Sequence, residues 1–304
     1  MLLGLEISRH DCAAVLANAK GESQWALRQN FPANAAPATQ WLSAMQIARD
    51  LLHRAALEPA AISRVGVAFD ALVSREGLVQ TDVTRPGWEN YDLKRGVREH
   101  LRVEHLGESE IVAASRVACQ GLGEAHFGAL RGAKNWLFLH LGDTLKSALC
   151  LDGKLQLGIG GDIGGLVIER DGALDAFGRR GTLRAYCGGD ALESRARSYS
   201  IAFESPSELW PLSSANFAAQ SLVEDFTSRL AQGLAGAVAL AAPDVICIGG
   251  SFGRAIFEPI RAPLASKLRD LALPVALESL SLVQAALGED AATLGALALA
   301  LHTD

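Results

Sequence analysis

The sequence predicts an α/β protein of two lobes, each built on a mixed sheet. The first indication is a repeat, because Leu137–Leu155 has the same order of alternating apolar residues, polar turn, second apolar run and glycine-containing turn as Leu3–Gly21. Each copy predicts a β-hairpin. The second indication is the alternation of predicted strands and helices elsewhere in the chain. Two lobes of like topology are expected to face each other across a shared cleft.

Apolar periodicity defines the elements of the first half in order. Residues 2–30 predict hairpins with a further strand over Trp25–Asn30, and Pro32 and Pro37 bracket a loop. Trp41–Ala56 places apolar side chains on one helical face and ends before Pro59. The remaining elements are a strand over Val65–Phe69, a loop over Gln80–Asn90, a helix over Leu93–Leu101, a strand over Ile111–Ala114 and a helix over Val117–Phe127.

The second half begins with the repeated hairpin and continues with a glycine-rich loop, Gly158–Gly165, whose backbone must approach a neighbouring group closely. A short strand over Leu166–Ile168 follows, and a turn over Phe177–Thr182 precedes a helix. The last predicted elements are a long helix over Asn216–Ala242, a buried strand over Asp244–Ile248 that leads into Gly249-Gly250-Ser251, and a helix over Ala291–Leu301.

Composition narrows the class of protein. With 304 residues, 49% of them hydrophobic, the chain is long enough for two domains with a substantial core. A net charge of -6 gives no electrostatic basis for binding nucleic acid or anionic membranes. The five cysteines are widely separated and lie mostly in apolar runs, which indicates reduced thiols and a cytoplasmic location. No signal peptide or transmembrane segment is predicted.

Several segments together resemble the ROK family of sugar kinases and repressors. In order along nearly the whole chain, the matching segments are Gly4–Glu22, Pro86–Asn90, Gly123–Asn135, Leu151–Leu155, Gly178–Gly181, Pro243–Arg254 and Ala286–Ala296. The resemblance implies the actin-like ATPase fold, also described as hexokinase-like or ribonuclease-H-like, with duplicated sheets and a central cleft for sugar and ATP. It also implies that the C-terminal helix returns to the first lobe, so that residues 1–114 and 288–304 form the small lobe and residues 115–287 the large one.

The resemblance further implies which residues line the cleft. On the sugar side these are Thr84, Ser115, Arg116, Asp162 and Arg184, and on the nucleotide side Glu6, Ser8, Arg9, Gly142, Asp143, Gly249, Gly250 and Ser251.

The position of the catalytic base departs from the family pattern. The family has an Asn-Asp pair at a fixed distance before its Gly-Glu-Ala segment, and counting back from Glu124 places Ser115 and Arg116 there. A guanidinium cannot be deprotonated in a protein, so Arg116 cannot act as the base. Glu108 and Glu110 lie nearby, but before the strand rather than after it.

The turns that hold phosphate in the family are altered as well. In the first hairpin turn two family glycines are replaced by Ser8 and Arg9, so side chains stand where backbone would approach phosphate, although Glu6 keeps a carboxylate. In the second turn Asp143 would face phosphate with like charge. The Gly249-Gly250 step keeps its form and either approaches a nucleotide or only permits a tight connection from strand to helix.

The zinc ligands implied by the family are also absent. The family binds zinc through one His and three Cys, and the corresponding residues here are Gly165, Asp175, Phe177 and Thr182. One carboxylate cannot hold a tetrahedral zinc, so no zinc is expected. We also expect no other cofactor, with ATP and Mg²⁺ required only if the protein is an active kinase.

Three hypotheses remain. The leading one is a pseudokinase, which is not expected to be an enzyme, that binds a sugar-derived or anionic ligand or a protein partner and forms a homodimer. The cleft is expected to prefer anionic ligands, because Arg116 and Arg184 lie beside Asp162 and Arg9 adds a third positive charge. The alternative is that the arginines form salt bridges to Asp162 or Asp143 and only fill the cavity. The second hypothesis is an active ATP-dependent sugar kinase of the glucokinase or N-acetylhexosamine kinase type that uses Glu6, Asp143 or Asp162. The third is a regulator without its own DNA-binding domain.

Overall fold

The computed structural model describes residues 1–80, 85–107 and 109–301. Its strands are β1 (Leu2–Ile7), β2 (Asp11–Ala17), β3 (Ser23–Asn30), β4 (Arg64–Phe69), β5 (Ile111–Ser115), β6 (Trp136–Leu141), β7 (Leu145–Leu151), β8 (Lys154–Leu155), β9 (Val245–Gly249) and β10 (Ser281–Gln284). Its α-helices are α1 (Pro37–Arg54), α2 (Leu93–Leu101), α3 (Arg116–Phe127), α4 (Gly189–Ser198), α5 (Leu209–Leu212), α6 (Phe217–Ala241), α7 (Ser251–Leu271), α8 (Pro274–Leu277) and α9 (Ala291–Leu301).

The described strands form two mixed sheets of the same topology. One has the order β3-β2-β1-β4-β5, and the other, read from its opposite edge, has the order β8-β7-β6-β9-β10. In each sheet the first strand of the hairpin pairs antiparallel with the second strand and parallel with the strand on its other side, which is β4 for β1 and β9 for β6. The duplication predicted from the sequence repeat is therefore confirmed in the sheets.

The chain forms two compact units. Unit 1 contains Met1–Arg131, Leu155–Gly160 and Glu289–Asp304, and unit 2 contains Gly132–Lys154 and Gly161–Gly288. The C-terminal helix α9 lies in unit 1 with the N-terminal strands. Helix α3 also belongs to unit 1, where it packs against α9.

Close contact between α3 and α9 depends on small residues. A methyl group added at Gly295 would lie 1.6 Å from the backbone oxygen of Cys119, so a larger residue would force the two helices apart. Helix α9 is buried along nearly its whole length and is apolar on all sides except at Thr293. Its burial explains why a helix with little amphipathic character is stable here.

Helix ends in both units follow from local residues. Asp92 caps α2, since its side chain accepts a hydrogen bond from the backbone N–H of Arg95 at 2.9 Å. Asn216 caps α6 in the same way through the N–H of Ala219. Helix α6 ends at Ala241, and the next residue, Ala242, has a left-handed backbone (φ 39°) and comes directly before a proline.

Each unit has its own apolar core. In unit 1 the core lies between the sheet and α1, and Trp88 from the Pro86–Asn90 loop packs edge-on to Phe69 with ring centroids 4.7 Å apart. In unit 2 the core surrounds β6, β9, α6 and α7. At its rim, Glu169 accepts hydrogen bonds from Tyr186 and Arg229, and these lower the pKa of the Glu169 carboxyl.

The structure corrects several boundaries. Helix α1 begins at Pro37, because proline is well suited to the first turn of a helix. Leu166–Ile168 is not a strand, since among these three residues only Val167 forms an isolated bridge, with Thr182. The sequence interpretation did not define α7 or β10. Within the described residues, no helix is both long and apolar enough to cross a membrane.

Candidate functional site

In unit 1, a buried carboxylate at the end of β1 is surrounded by donors from three other elements. Glu6 has no exposed surface, and its Oε1 accepts a hydrogen bond from Arg116 Nε at 2.7 Å. Its Oε2 accepts from Arg28 Nη2 of β3 at 3.2 Å and from the hydroxyl of Thr293 of α9. We call these four residues the Glu6 cluster. It satisfies the negative charge of Glu6 entirely within the protein.

Arg116 reaches Glu6 because it is the first residue of α3. The preceding residue, Ser115, ends β5 and caps the helix, its Oγ accepting from the N–H of Ala118 at 3.4 Å. Burial alone lowers the pKa of Arg116, but the charges of Glu6 and Asp70 and the hydrogen bond to Glu6 outweigh it, so that the pKa is raised. Arg116 is therefore a permanent cation bound to an anion.

The turn between β1 and β2 is held by its own side chains. Ser8 Oγ accepts hydrogen bonds from the N–H groups of His10 at 3.1 Å and Asp11 at 3.0 Å and donates to the Asp11 carboxylate. The N–H of Ser8 donates to the backbone oxygen of Asp11. These amides are consequently occupied within the turn. Arg9 is exposed at its tip.

In unit 2, the two residues expected on the sugar side lie in contact with each other. Arg184 is 7% exposed at its side chain and forms an ion pair through Nη2 with Asp162 Oδ2. The other oxygen of Asp162, Oδ1, is buried and has no hydrogen-bond partner among the described residues. A buried acceptor without a donor is costly, so Asp162 Oδ1 is suited to a hydroxyl or amine donor from outside the chain.

A pocket of about 250 Å³ in unit 2 contains part of the expected nucleotide side. Its lining residues are Gly142, Asp143, Gly189, Asp190, Glu193, Ser205, Pro206, Ser207, Ser251, Phe252 and Ala255. Three of these are acidic and none is lysine or arginine. The N–H groups of Gly189 and Asp190, at the start of α4, donate to the backbone oxygens of Gly142 and Asp143 at 2.8 and 2.9 Å. These two amides are therefore engaged within the protein.

Gly249, the last residue of β9, and Gly250 after it are both required by local packing. Gly250 has φ 83°, and a methyl group there would lie 2.3 Å from the backbone oxygen of Leu141. A methyl group at Gly249 would lie 2.7 Å from the ring of Phe138. Both positions need glycine for the tight connection from β9 to α7, whether or not a nucleotide binds.

The residues at the implied zinc positions do not fit a zinc ion. Gly165 has no side chain, the ring of Phe177 lies 4.9 Å from the Arg184 guanidinium, and the Thr182 hydroxyl donates to Asp175 at 2.7 Å. Zinc in structural sites is held by thiolates, imidazoles and occasionally carboxylates. Among the described residues, no group of three His, Cys, Asp or Glu side chains is arranged to hold a metal.

The structure brings some expected site residues together and adds others. Arg116 forms an ion pair with Glu6. On the sequence alone, the alternative salt-bridge partners of Arg116 are Asp162 and Asp143, and the structure instead has Glu6 in that role. Arg184 does form a salt bridge with Asp162, one of the two partners that the sequence suggests for it. Thr84 lies outside the described residues. Arg28 and Thr293 were not identified from the sequence, because nothing local to either residue indicates a partner on β1.

Comparisons with known proteins agree on one family. The ROK family model matches residues 2–303. Kanosamine kinase of Amycolatopsis mediterranei is 29% identical over 248 residues, which cover 79% of this chain and 77% of that protein. Glucokinase of Thermotoga maritima is 28% identical over 252 residues, with 76% and 77% covered. The ROK hexokinase structure from Thermus thermophilus superimposes with a TM-score of 0.83 at 21% identity, covering 98% of this chain and 97% of that one, and shows the same fold.

Proposed function

The chain belongs to the ROK family, and from this premise we propose that it is a sugar-kinase-like protein that binds a sugar-derived ligand without transferring a phosphoryl group. In this proposal the actin-like ATPase fold is kept as a binding scaffold. The observation that carries the proposal is the hydrogen bond from Arg116 to Glu6.

A sugar kinase needs a carboxylate that accepts the proton of the attacking sugar hydroxyl. Arg116 stands where the family resemblance implies that carboxylate, and a guanidinium stays protonated at any pH at which the protein is folded. Glu6, the carboxylate of the Glu6 cluster, already accepts three hydrogen bonds. Neither side chain is placed to take a proton from a substrate.

The phosphate side supports the same proposal. A transferred phosphoryl group is normally stabilised by Mg²⁺ and by backbone amides. In unit 1, Arg28 and Arg116 supply the positive charge next to Glu6, and the Ser8 hydroxyl occupies amides of the first turn. In unit 2, Asp143 lines the pocket, and its negative charge would repel the phosphates of a nucleotide placed there. We therefore propose that the protein works without ATP, Mg²⁺ or zinc.

For the ligand, the contacts favour a neutral sugar over an anion. The buried Oδ1 of Asp162 is an acceptor and suits a sugar hydroxyl. An anionic sugar would have to compete with the carboxylates that already bind Arg116 and Arg184. The preference for anions inferred from the sequence stays a prediction, and the anionic sugar is the second ligand class in this proposal.

The alternative is an active sugar kinase with a relocated base. It is favoured by the two relatives named kanosamine kinase and glucokinase. A base would have to come from Glu6, Asp143 or Asp162, or from Asp70, whose charge acts on Arg116.

Regarding partners, we propose a cytoplasmic homodimer that binds neither nucleic acid nor membrane, which is consistent with its acidic charge and with five buried free cysteines. Size measurement in solution at several concentrations tests the homodimer, and a single monomer mass throughout would contradict it.

The function is tested by measuring ADP formation with ATP, Mg²⁺ and glucose, mannose, N-acetylmannosamine or kanosamine. We expect no turnover above the rate without sugar, together with a rise in melting temperature on adding at least one neutral sugar, because a ligand that binds only the folded state stabilises it. The Asp162→Asn variant should lose that thermal shift. Turnover in the wild type that is abolished by Asp70→Asn or Asp162→Asn would establish the alternative instead.

A further inference from the structure

One carboxylate organises the segment of unit 2 from residue 175 to residue 184, which we call the Asp175 loop. Oδ1 of Asp175 accepts hydrogen bonds from the N–H groups of Phe177 and Arg179, both at 2.9 Å. Oδ2 accepts from the hydroxyl of Thr182 at 2.7 Å. The side chain of Asp175 is 1% exposed, and Thr182 is fully buried. Three donors spread over six residues therefore converge on one buried anion.

The backbone of Asp175 closes the same turn. Its N–H donates to the carbonyl oxygen of Arg179 at 2.8 Å, and its carbonyl oxygen accepts from the N–H of Gly178 at 3.0 Å. Hydrogen bonds to an ionised acceptor are roughly twice as strong as neutral ones, and they are less screened when buried. Side-chain and backbone hydrogen bonds of Asp175 thus hold the loop from Phe177 to Thr182.

The end of the loop carries Arg184. Thr182 immediately precedes a short 3₁₀ turn, Leu183–Ala185; its hydroxyl donates to Asp175, and its side chain makes no capping hydrogen bond to that turn. Arg184 Nε lies 3.8 Å from Asp175 Oδ2, and the guanidinium stacks on the ring of Phe177. The three loop positions at which the family resemblance implies metal ligands are therefore joined by hydrogen bonding and stacking, with Arg184 held against them.

We propose that Asp175 takes over the structural task of a metal ion in this chain, and that it is a positioning residue for Arg184. A carboxylate can do this because it offers several acceptor lone pairs that converge donors from different parts of a loop. By fixing Thr182 and facing Arg184 Nε, Asp175 orients the guanidinium that pairs with Asp162. The consequence for ligand binding rests on the proposed function, whereas the organisation of the loop does not.

Hydrogen exchange tests the loop directly. We expect exchange at the N–H groups of Phe177 and Arg179 to be about tenfold faster in Asp175→Ala than in the wild type, since each loses one charge-assisted hydrogen bond. In Asp175→Asn the remaining oxygen can still accept from both amides, so exchange there should stay within about threefold of the wild type. The exposed residue Asp171, on the preceding turn, provides the control Asp171→Asn, which should leave exchange unchanged. Equal exchange in Asp175→Ala and Asp171→Asn would overturn the proposal.

The positioning of Arg184 needs a separate readout. We expect the nitrogen-15 NMR signal of Arg184 Nε–H to shift in Asp175→Asn and in Thr182→Val, which replaces only the hydroxyl of that side chain, but not in Asp171→Asn. A role confined to holding the loop would leave this signal in place in Asp175→Asn. That result would refute the positioning role.

Chelation distinguishes the carboxylate from a metal. Dialysis of the wild-type protein against EDTA should change neither its melting temperature nor the exchange of the Asp175 loop. A fall in melting temperature that is restored by zinc would show that a metal holds the loop and would overturn the proposal. All of these measurements are made without sugar or nucleotide. Kinase turnover would therefore contradict the proposed function and leave this inference standing.

Discussion

Replacing Arg116 with alanine tests whether the Glu6 cluster is a buried, mutually dependent set of charges. In the wild type, Glu6 accepts from Arg116 at 2.7 Å, from Arg28 at 3.2 Å and from the Thr293 hydroxyl. The variant removes the shorter of the two arginine contacts and leaves an unexposed carboxylate with the remaining two donors. We expect it to fold, since Arg28 still compensates the charge, but to be less stable.

The size of the effect follows from burial. A hydrogen bond to a charged group contributes about 1.5–3 kcal/mol, and removing one partner of a fully buried ion pair costs about 3–5 kcal/mol. The Arg116 side chain is 21% exposed, and two donors remain on Glu6, so the upper range does not apply. We expect the free energy of unfolding to fall by about 2 kcal/mol.

Urea unfolding followed by circular dichroism measures this change, with Arg95→Ala as the matched control. Arg95 forms an ion pair with Glu99 at 3.0 Å, but both side chains are more than half exposed. That variant should change the free energy of unfolding by less than about 0.5 kcal/mol. In a double-mutant cycle, Glu6→Gln should reduce the cost of Arg116→Ala by about 1 kcal/mol, because no charge is then left behind.

Two outcomes would refute this reasoning. One is equal stability of Arg116→Ala and Arg95→Ala, which would mean that Arg116 is solvated and contributes as a surface residue does. The other is strict additivity of Arg116→Ala and Glu6→Gln, which would mean that the two side chains do not interact.

Three further predictions concern packing, pH and thiol reactivity. Gly295→Ala should destabilise the protein by about 3 kcal/mol, because the added methyl group would lie 1.6 Å from a backbone oxygen. The control Gly236→Ala should be neutral or slightly stabilising, because the nearest atom to its methyl group is a side-chain carbon at 3.8 Å. Equal urea midpoints for the two variants would contradict this prediction. The pKa of Glu169 is lower in the folded protein than its unfolded value near 4.5. The ionised Glu169 carboxylate therefore stabilises the fold above pH 4.5, and this stabilisation is lost as the pH falls through the folded pKa. Melting temperatures measured from about pH 3 to 6 should accordingly vary less in Glu169→Gln than in the wild type. Burial raises the pKa of Cys12 to about 12 and of Cys150 to about 11, so Ellman's reagent at pH 8 should label none of the five thiols until urea is added, and rapid labelling of the native protein would count against this packing.

Local pattern was sufficient for much of the fold. The alternation in Leu2–Ile7 and Trp136–Leu141 predicts strands because side chains alternate across a sheet, and a short polar turn between two such runs predicts a hairpin. The helices Leu93–Leu101 and Ala291–Leu301 were predicted with the bounds that the structure has. In such segments, the signal lies within a few residues of the feature it predicts.

Elements whose signal is weak or contradictory were not resolved. Helix α7 contains Pro259 and Pro263, which argue against a helix interior, but both prolines are on its exposed side. The helix is held by a buried row that includes Ile256, Ile260 and Leu264, spaced four residues apart. Strand β10 is short and only half buried, and it is defined by its pairing with β9. Packing decides both cases.

For the candidate site, the sequence by itself determined which side chain occupies each position where the family resemblance implies a catalytic or metal-binding residue. It established that Arg116 cannot be a base and that Asp175, Phe177 and Thr182 cannot together hold zinc, because these are properties of the side chains. Only the tertiary structure decided the partners of those side chains. Glu6 meets Arg116, Arg28 and Thr293 because β1, β3, α3 and α9 converge in unit 1, and contacts between residues so far apart in the chain leave no trace in local pattern.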